Sequence, residues 1–208
     1  MAYRRTESVT QRLADKRAHI LKAARDLVAD GGWSAAQVDH VAAKAGVATG
    51  TVYRHWPSKA ELCAEIVASV SAHEVGIVKA VADAGDPPVE KLQAAIRAFA
   101  SRALRGRRLA YALIAEPVDP EVEAVRLDYR AELAHCFERI LREGIMRGVF
   151  PRLDPAVAAA CIVGAFMEAL IGPLAPAKGT GPRADRHLIE QITQFCLRAS
   201  VGAPEGKP

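Results

Sequence analysis

Glycine and proline cut the first sixty residues into pieces too short for anything but small helices. The breaks are Gly31-Gly32, Gly46 and Pro57. Between them the apolar residues recur at helical spacing: Leu13, Ile20, Leu21, Ala24, Leu27 and Val28 define a helix over about 12–29. Ser34-Ala35-Ala36-Gln37 reads as a capping box that opens a short helix to about 45, with Val38, Val41 and Ala42 inward. Gly46 supplies a sharp turn, and a second short helix covers about 48–56. Ser58-Lys59-Ala60-Glu61 is a second capping box, opening a long helix to about 73. Two short helices joined through a glycine turn have the form of a helix-turn-helix. The second presents Thr49, Thr51, Tyr53, Arg54 and His55, hydroxyl and basic groups that suit phosphate oxygens, with its N-terminus toward base edges. An ordinary αα-hairpin inside a bundle has the same spacing.

Composition narrows the class. Half of the 208 residues are hydrophobic but only 5% are aromatic, with abundant Ala, Leu, Arg and Glu, which favours an all-α fold of one or two domains and excludes disorder. Net charge is +4, unevenly placed: residues 1–60 hold ten basic and five acidic groups, and the rest sums to −1. That is the pattern of a nucleic-acid module on a near-neutral body. The longest apolar run, 156–167, stops at Glu168, short of the ~20 residues of a membrane span. The N-terminus lacks the apolar stretch of a secretory signal. A soluble cytoplasmic protein without a membrane partner is expected. Cys63, Cys136, Cys161 and Cys196 form no C-x-x-C pair and sit in apolar stretches, so they read as core residues.

Val41-Ala42, Ala45-Gly46-Val47, Gly50-Thr51-Val52-Tyr53-Arg54-His55-Trp56 and Ser58-Lys59-Ala60-Glu61-Leu62 closely resemble the TetR family of transcriptional regulators. The resemblance covers about 13–63. Ala48 stands where that family usually has a capping Ser or Thr, Trp56 where it has Phe, and Ala36-Gln37 where it has Thr-Thr/Ser. The resemblance implies phosphate contacts from Tyr53, His55 and Lys59, with Thr49 and Thr51 in the groove and Gln37 near its edge. Val38, Val41, Val47, Val52 and Trp56 would be the mini-core, and Arg54 would reach phosphate or solvent. The Arg4/Arg5 arm stays open between DNA contact and disorder.

The remaining two-thirds reads as helices over about 89–104, 109–115, 121–147, 156–170 and 184–201, giving about nine in all. Residues 105–108 read as a break and a basic patch, and 173–183 as a long flexible loop. Asp154-Pro155 is an N-cap followed by a first-turn proline. The domain reading is 1–60 for DNA binding and 61–208 for effector binding and dimerisation. The resemblance implies a homodimer through the last two helices, a pseudo-palindromic double-stranded operator, and a small-molecule effector whose binding moves the fourth helix. Phe99, Tyr111, Glu116, Tyr129, Phe166 and Met167 are the candidate effector contacts, with Glu116 alternatively bridging to Arg126 or Arg130.

Catalysis finds little support. Glu132-Leu133-Ala134-His135 is half of a di-iron carboxylate motif with no second copy. His73-Glu74 lacks the second histidine of a zinc helix, and no nucleophile elbow, P-loop or dinucleotide fingerprint occurs. No catalytic residue, cofactor or metal is expected. The alternatives are a helical adaptor or a small helical metalloenzyme without DNA binding.

Overall fold

The computed structural model describes residues 2–176 and 181–201, with side chains from residue 9. Among these residues there are nine α-helices and no strand. In chain order they are α1 (Ala2–Gly31), α2 (Val38–Lys44), α3 (Thr49–His55), α4 (Lys59–Ala82), α5 (Pro88–Arg105), α6 (Arg107–Ile114), α7 (Pro120–Met146), α8 (Pro155–Leu174) and α9 (Pro182–Val201).

The helix starts and stops have local causes. Gly32 takes φ +77° to end α1, and Gly46 takes φ +62° to turn α2 into α3. Ser58 Oγ accepts from the Glu61 amide at 3.1 Å, and Asp154 accepts from the Ala156 and Val157 amides at 2.9 and 3.2 Å. The capping box expected at Ser34 does not form. Residues 33–35 form a turn, α2 begins at Val38, and Gln37 instead donates its amide to the Ser34 carbonyl at 3.1 Å. Helix α1 starts ten residues earlier than its apolar stripe, because the polar stretch before Arg12 contains no breaker.

The expected loop over 173–183 is shorter than its composition implies. Pro173 lies in the last turn of α8, where Leu174 is buried and Arg107 donates to the Pro173 carbonyl at 2.7 Å. Pro182 opens α9. Residues 177–180 of that loop lie outside the described residues, as do the Arg4 and Arg5 side chains. Helix α8 therefore runs twenty residues through Glu168, long and apolar enough by length and composition to cross a bilayer, which corrects the argument from the run over 156–167. It is instead packed on α7, α5, α6 and α9 along one side.

Two hydrophobic cores form. One joins α1–α3 with Leu62, Cys63, Ile66 and Val67 of α4, Ala112 of α6 and Val122 of α7. The other gathers α5, α7, α8 and α9 around Phe137 and Phe166, with Val78 and Ala82 from the far end of α4. Helix α4 thus belongs to both. Lys91, only 5% exposed, donates to the Ala82 carbonyl at 3.2 Å and to Glu143 at 2.8 Å, fastening the end of α4 to α5 and α7. Three cysteines are buried as expected, but Cys161 is exposed. The basic patch at 105–108 is largely committed internally: Arg107 pairs with Asp185 and Arg108 with Glu116.

Candidate nucleic-acid interface and ligand cavity

Val38, Val41, Val52 and Trp56 are buried and Val47 partly so, which holds α2 and α3 at a fixed angle. Trp56 is locked by two contacts whose partners also bind each other. Its indole N–H donates to Glu65 at 2.6 Å, the Arg17 guanidinium lies 4.8 Å over its ring, and Arg17 itself forms a forked ion pair with Glu65. The end of α3 is thereby tied to α1 and α4.

The outward face of α3 carries the residues singled out from the sequence. Thr49, Tyr53 and Arg54 are exposed, and Thr51, His55 and Lys59 are half-buried around them. The His55 ring sits 5.6 Å from Trp56. Gln37 is exposed at the start of α2. Ala48, at the N-cap of α3, makes no side-chain cap, in keeping with the missing hydroxyl there. Salt bridges occupy Arg17, Lys22, Arg25 and Lys44. Among the described residues Arg54 and Lys59 have no carboxylate partner within salt-bridge distance, so their charge is available on this face.

A cavity of about 440 Å³ lies among α4, α5, α6, α7 and α8. This is within the size range of small-molecule sites. Of the six effector candidates, Phe99, Tyr129 and Met167 line it. Phe166 is fully buried behind the wall, 4.8 Å from Phe99 and 5.6 Å from Phe137 between ring centres. Tyr111 lies away from the cavity with Arg108 6.0 Å over its ring. Glu116 receives Arg108 at 2.8 Å and the Trp33 amide at 3.2 Å. Its carboxylate does not bridge to Arg126 or Arg130; Arg126 donates to its backbone carbonyl at 2.8 Å.

Sequence reasoning missed the charged part of the lining. Arg102, Arg105, Arg126 and Arg130 line the cavity together with Glu74. Arg102 holds Glu74 through two bonds of 2.7 and 2.8 Å. Arg126 is 6% exposed. Its Nη1 reaches Glu123 at 3.1 Å, and its Nη2 donates to the carbonyls of Ala112 and Glu116. Burial pulls its pKa below the ordinary arginine value. Arg130 caps the same helix end at the Ile114 carbonyl, 3.1 Å away. The available signal was a charge on the apolar stripe of α7, between Val122 and Tyr129. A second cavity of about 330 Å³ between α7 and α8 shares Ile114, Arg130 and Met167 with the first.

The cavity wall connects to the α1–α2 turn. Ala112 O accepts from Arg126 and also from the Trp33 indole, at 2.9 Å. Arg108 donates to Gly31 O at 2.8 Å. Gly32 lies so close beneath that a Cβ there would stand 1.5 Å from Arg108 Nη2.

The half-motif over 132–135 does not assemble: His135 meets Glu138 at 3.2 Å. The side of α8 away from the bundle is open and lined mainly by small or apolar residues, with Val157 60% exposed and Cys161 exposed, and on α9 Phe195 is 64% exposed.

Comparison with known proteins adds to this. The family model for bacterial regulatory proteins, tetR family, matches residues 20–66. That for the tetracyclin repressor-like C-terminal domain matches residues 85–170. No curated protein matches the chain. A TetR/AcrR-family transcriptional regulator from Thermobifida fusca YX-ER1 is 26% identical, with 88% of this chain and 97% of that one covered, at TM-score 0.69. The fatty acid degradation regulator FadR of Bacillus halodurans is 22% identical over 88% of this chain and 94% of its own, at TM-score 0.76. FadR of Bacillus subtilis, solved in complex with stearoyl-CoA, is 20% identical over 88% and 98%, also at TM-score 0.76.

Proposed function

This chain belongs to the TetR family of transcriptional regulators, and from that premise we propose that it is a repressor that binds a pseudo-palindromic operator as a homodimer and is released by a small molecule. The observation that carries the reading is the face of α3: exposed Thr49, Tyr53 and Arg54, with Lys59 beside them, on a helix fixed from behind by Trp56. A rigid helix with free donors is what entry into a major groove requires. Tyr53, His55 and Lys59 take phosphates, while Thr49, Thr51 and Gln37 approach the bases, and Arg54 adds a further cation.

Two copies joined through the open faces of α8 and α9 bury Val157 and Phe195 and place two such helices on one side of the dimer. This covers the apolar side of α8 with protein rather than lipid. The protein then works in the cytoplasm, where the operator is. The cavity receives the effector, with Phe99, Tyr129 and Met167 against its apolar body. Phe166 backs Phe99 from behind the wall, while Tyr111 and Glu116 engage Arg108 outside the cavity. Filling the cavity shifts α4 and changes the separation of the recognition helices. Footprinting on the DNA flanking the protein's own gene tests the reading. A protected two-fold-related site whose affinity falls steeply with salt is expected; salt-insensitive or unselective binding would overturn it.

A further inference from the structure

We propose that the cavity selects an apolar carboxylic acid, whose head is received by the Arg126 Nε–H and balanced by Arg130. This assignment rests on the cavity being the effector site.

Arg126 Nε is a buried side-chain donor with no hydrogen-bond partner. A guanidinium this deeply enclosed normally satisfies its donors, since a buried unpaired donor is costly. Both Nη groups are in use, on Glu123, Ala112 O and Glu116 O. The one unused donor belongs to a residue of the cavity wall and is covered by its neighbours, so an acceptor entering from the cavity displaces part of that cover to reach it. An acceptor in the cavity completes the set.

The charge of the lining argues for an anionic acceptor. Four arginines line it with one glutamate, and that glutamate is already held by Arg102. Among the described residues Arg130 and Arg105 have no carboxylate within salt-bridge distance. The rest of the wall is apolar, including Val75, Leu113, Leu133 and Met167. A single acidic head on a hydrocarbon or aromatic body fits both parts. The planar fork of the guanidinium takes a carboxylate side-on, through parallel Nε–H and Nη2–H donors. The Nη2 donor is the one now given to Ala112 O and Glu116 O at the end of α6. A seated carboxylate therefore competes for the bonds that hold this helix end, and Ala112 O is also the acceptor for Trp33.

The test titrates full-length protein with decanoate and phenylbutyrate, each against its primary alcohol, by calorimetry. The acids bind at least about tenfold more tightly than their alcohols, the discrimination typical of a charge-assisted bond. Arg126→Lys, which keeps the charge but removes the Nε donor, erases most of that preference. Arg130→Gln weakens it as well, and the acid-over-alcohol ratio of the unmodified protein needs no variant at all. In a Trp56→Phe background, where Trp33 is the remaining tryptophan, decanoate shifts the emission and decanol does not. Equal binding of acid and alcohol, or no binding by either acid, overturns the proposal. Operator binding of the ligand-free protein is scored separately. Acid selectivity without operator binding supports the cavity assignment while overturning the regulator reading.

Discussion

Single side chains have separable roles on the proposed DNA face. Lys59 offers an unpaired charge at the start of α4, so Lys59→Ala should weaken every DNA sequence alike and reduce the slope of log affinity against log salt by about 1. Tyr53→Phe removes one hydroxyl and should cost about tenfold in operator affinity; gel shifts across a salt series measure both. Elsewhere, Glu143 contributes to acid stability. The hydrogen bond from Lys91, aided by the charges of Lys91 and Arg147, holds its carboxyl below the ordinary 4.5. Its folded pKa is depressed, so the stability it adds is complete above 4.5 and lost as pH falls through the lower folded value. Urea midpoints of the unmodified protein should therefore drop more steeply below pH 4.5 than those of Glu143→Gln; parallel curves would rule this role out. The placement of Thr49, Thr51, Tyr53, Arg54, His55 and Lys59 around one exposed face was legible in the sequence because their spacing is local, within one short helix and the cap that follows it. Arg126 was not, because its partners are carbonyls of α6 and the loop after it, and a carbonyl has no sequence signature.

At the level of elements, Ser58 and Ser34 make the useful contrast. Both head a Ser-x-x-Glu/Gln pattern, yet only Ser58 caps a helix. Gly32 in the left-handed region and the packing of Trp33 against Ala112 hold residues 33–35 in a turn, and this tertiary demand overrides the local pattern. Pro173 shows the same effect in reverse, kept helical by the burial of Leu174 and the bond from Arg107. Periodicity located every helix but not its full length: α1 runs past its apolar stripe through a polar stretch, and α4 runs on to Val78 and Ala82, which are buried against the second core. Helix α8 bears on assembly. Its outer side, with Phe195 of α9, is an apolar surface of the kind that marks an interaction site. Phe195→Asp should leave the fold intact, give monomers in sedimentation velocity, and lower operator affinity about 100-fold or more through loss of the second half-site. A dimer that survives this change would place the interface elsewhere.

For the whole molecule, the modest net charge of +4 understates what DNA would meet. A dimer would bring together two modules that each carry the chain's basic excess, with Arg17, Lys22, Arg25 and Lys44 paired to carboxylates at the surface and Arg54 and Lys59 left without one. The contacts that join the cavity wall to the α1–α2 turn pass through α6, where Arg108 grips Gly31 and Glu116 and where Ala112 receives both Arg126 and Trp33. Arg108→Gln should preserve operator binding of the free protein but blunt its release by decanoate, read as the acid concentration needed to displace half the DNA. Helix α4 has a thermodynamic consequence of its own. It supplies Leu62, Ile66 and Val67 to one core, and Val78 and Ala82 to the other. Neither core can melt alone without stripping half of a continuous hydrogen-bonded ladder of its support. The two regions therefore share one cooperative unfolding unit. Destabilisation anywhere along the chain is paid in common, and a mutation far from the operator face lowers the population of DNA-competent protein as surely as one upon it.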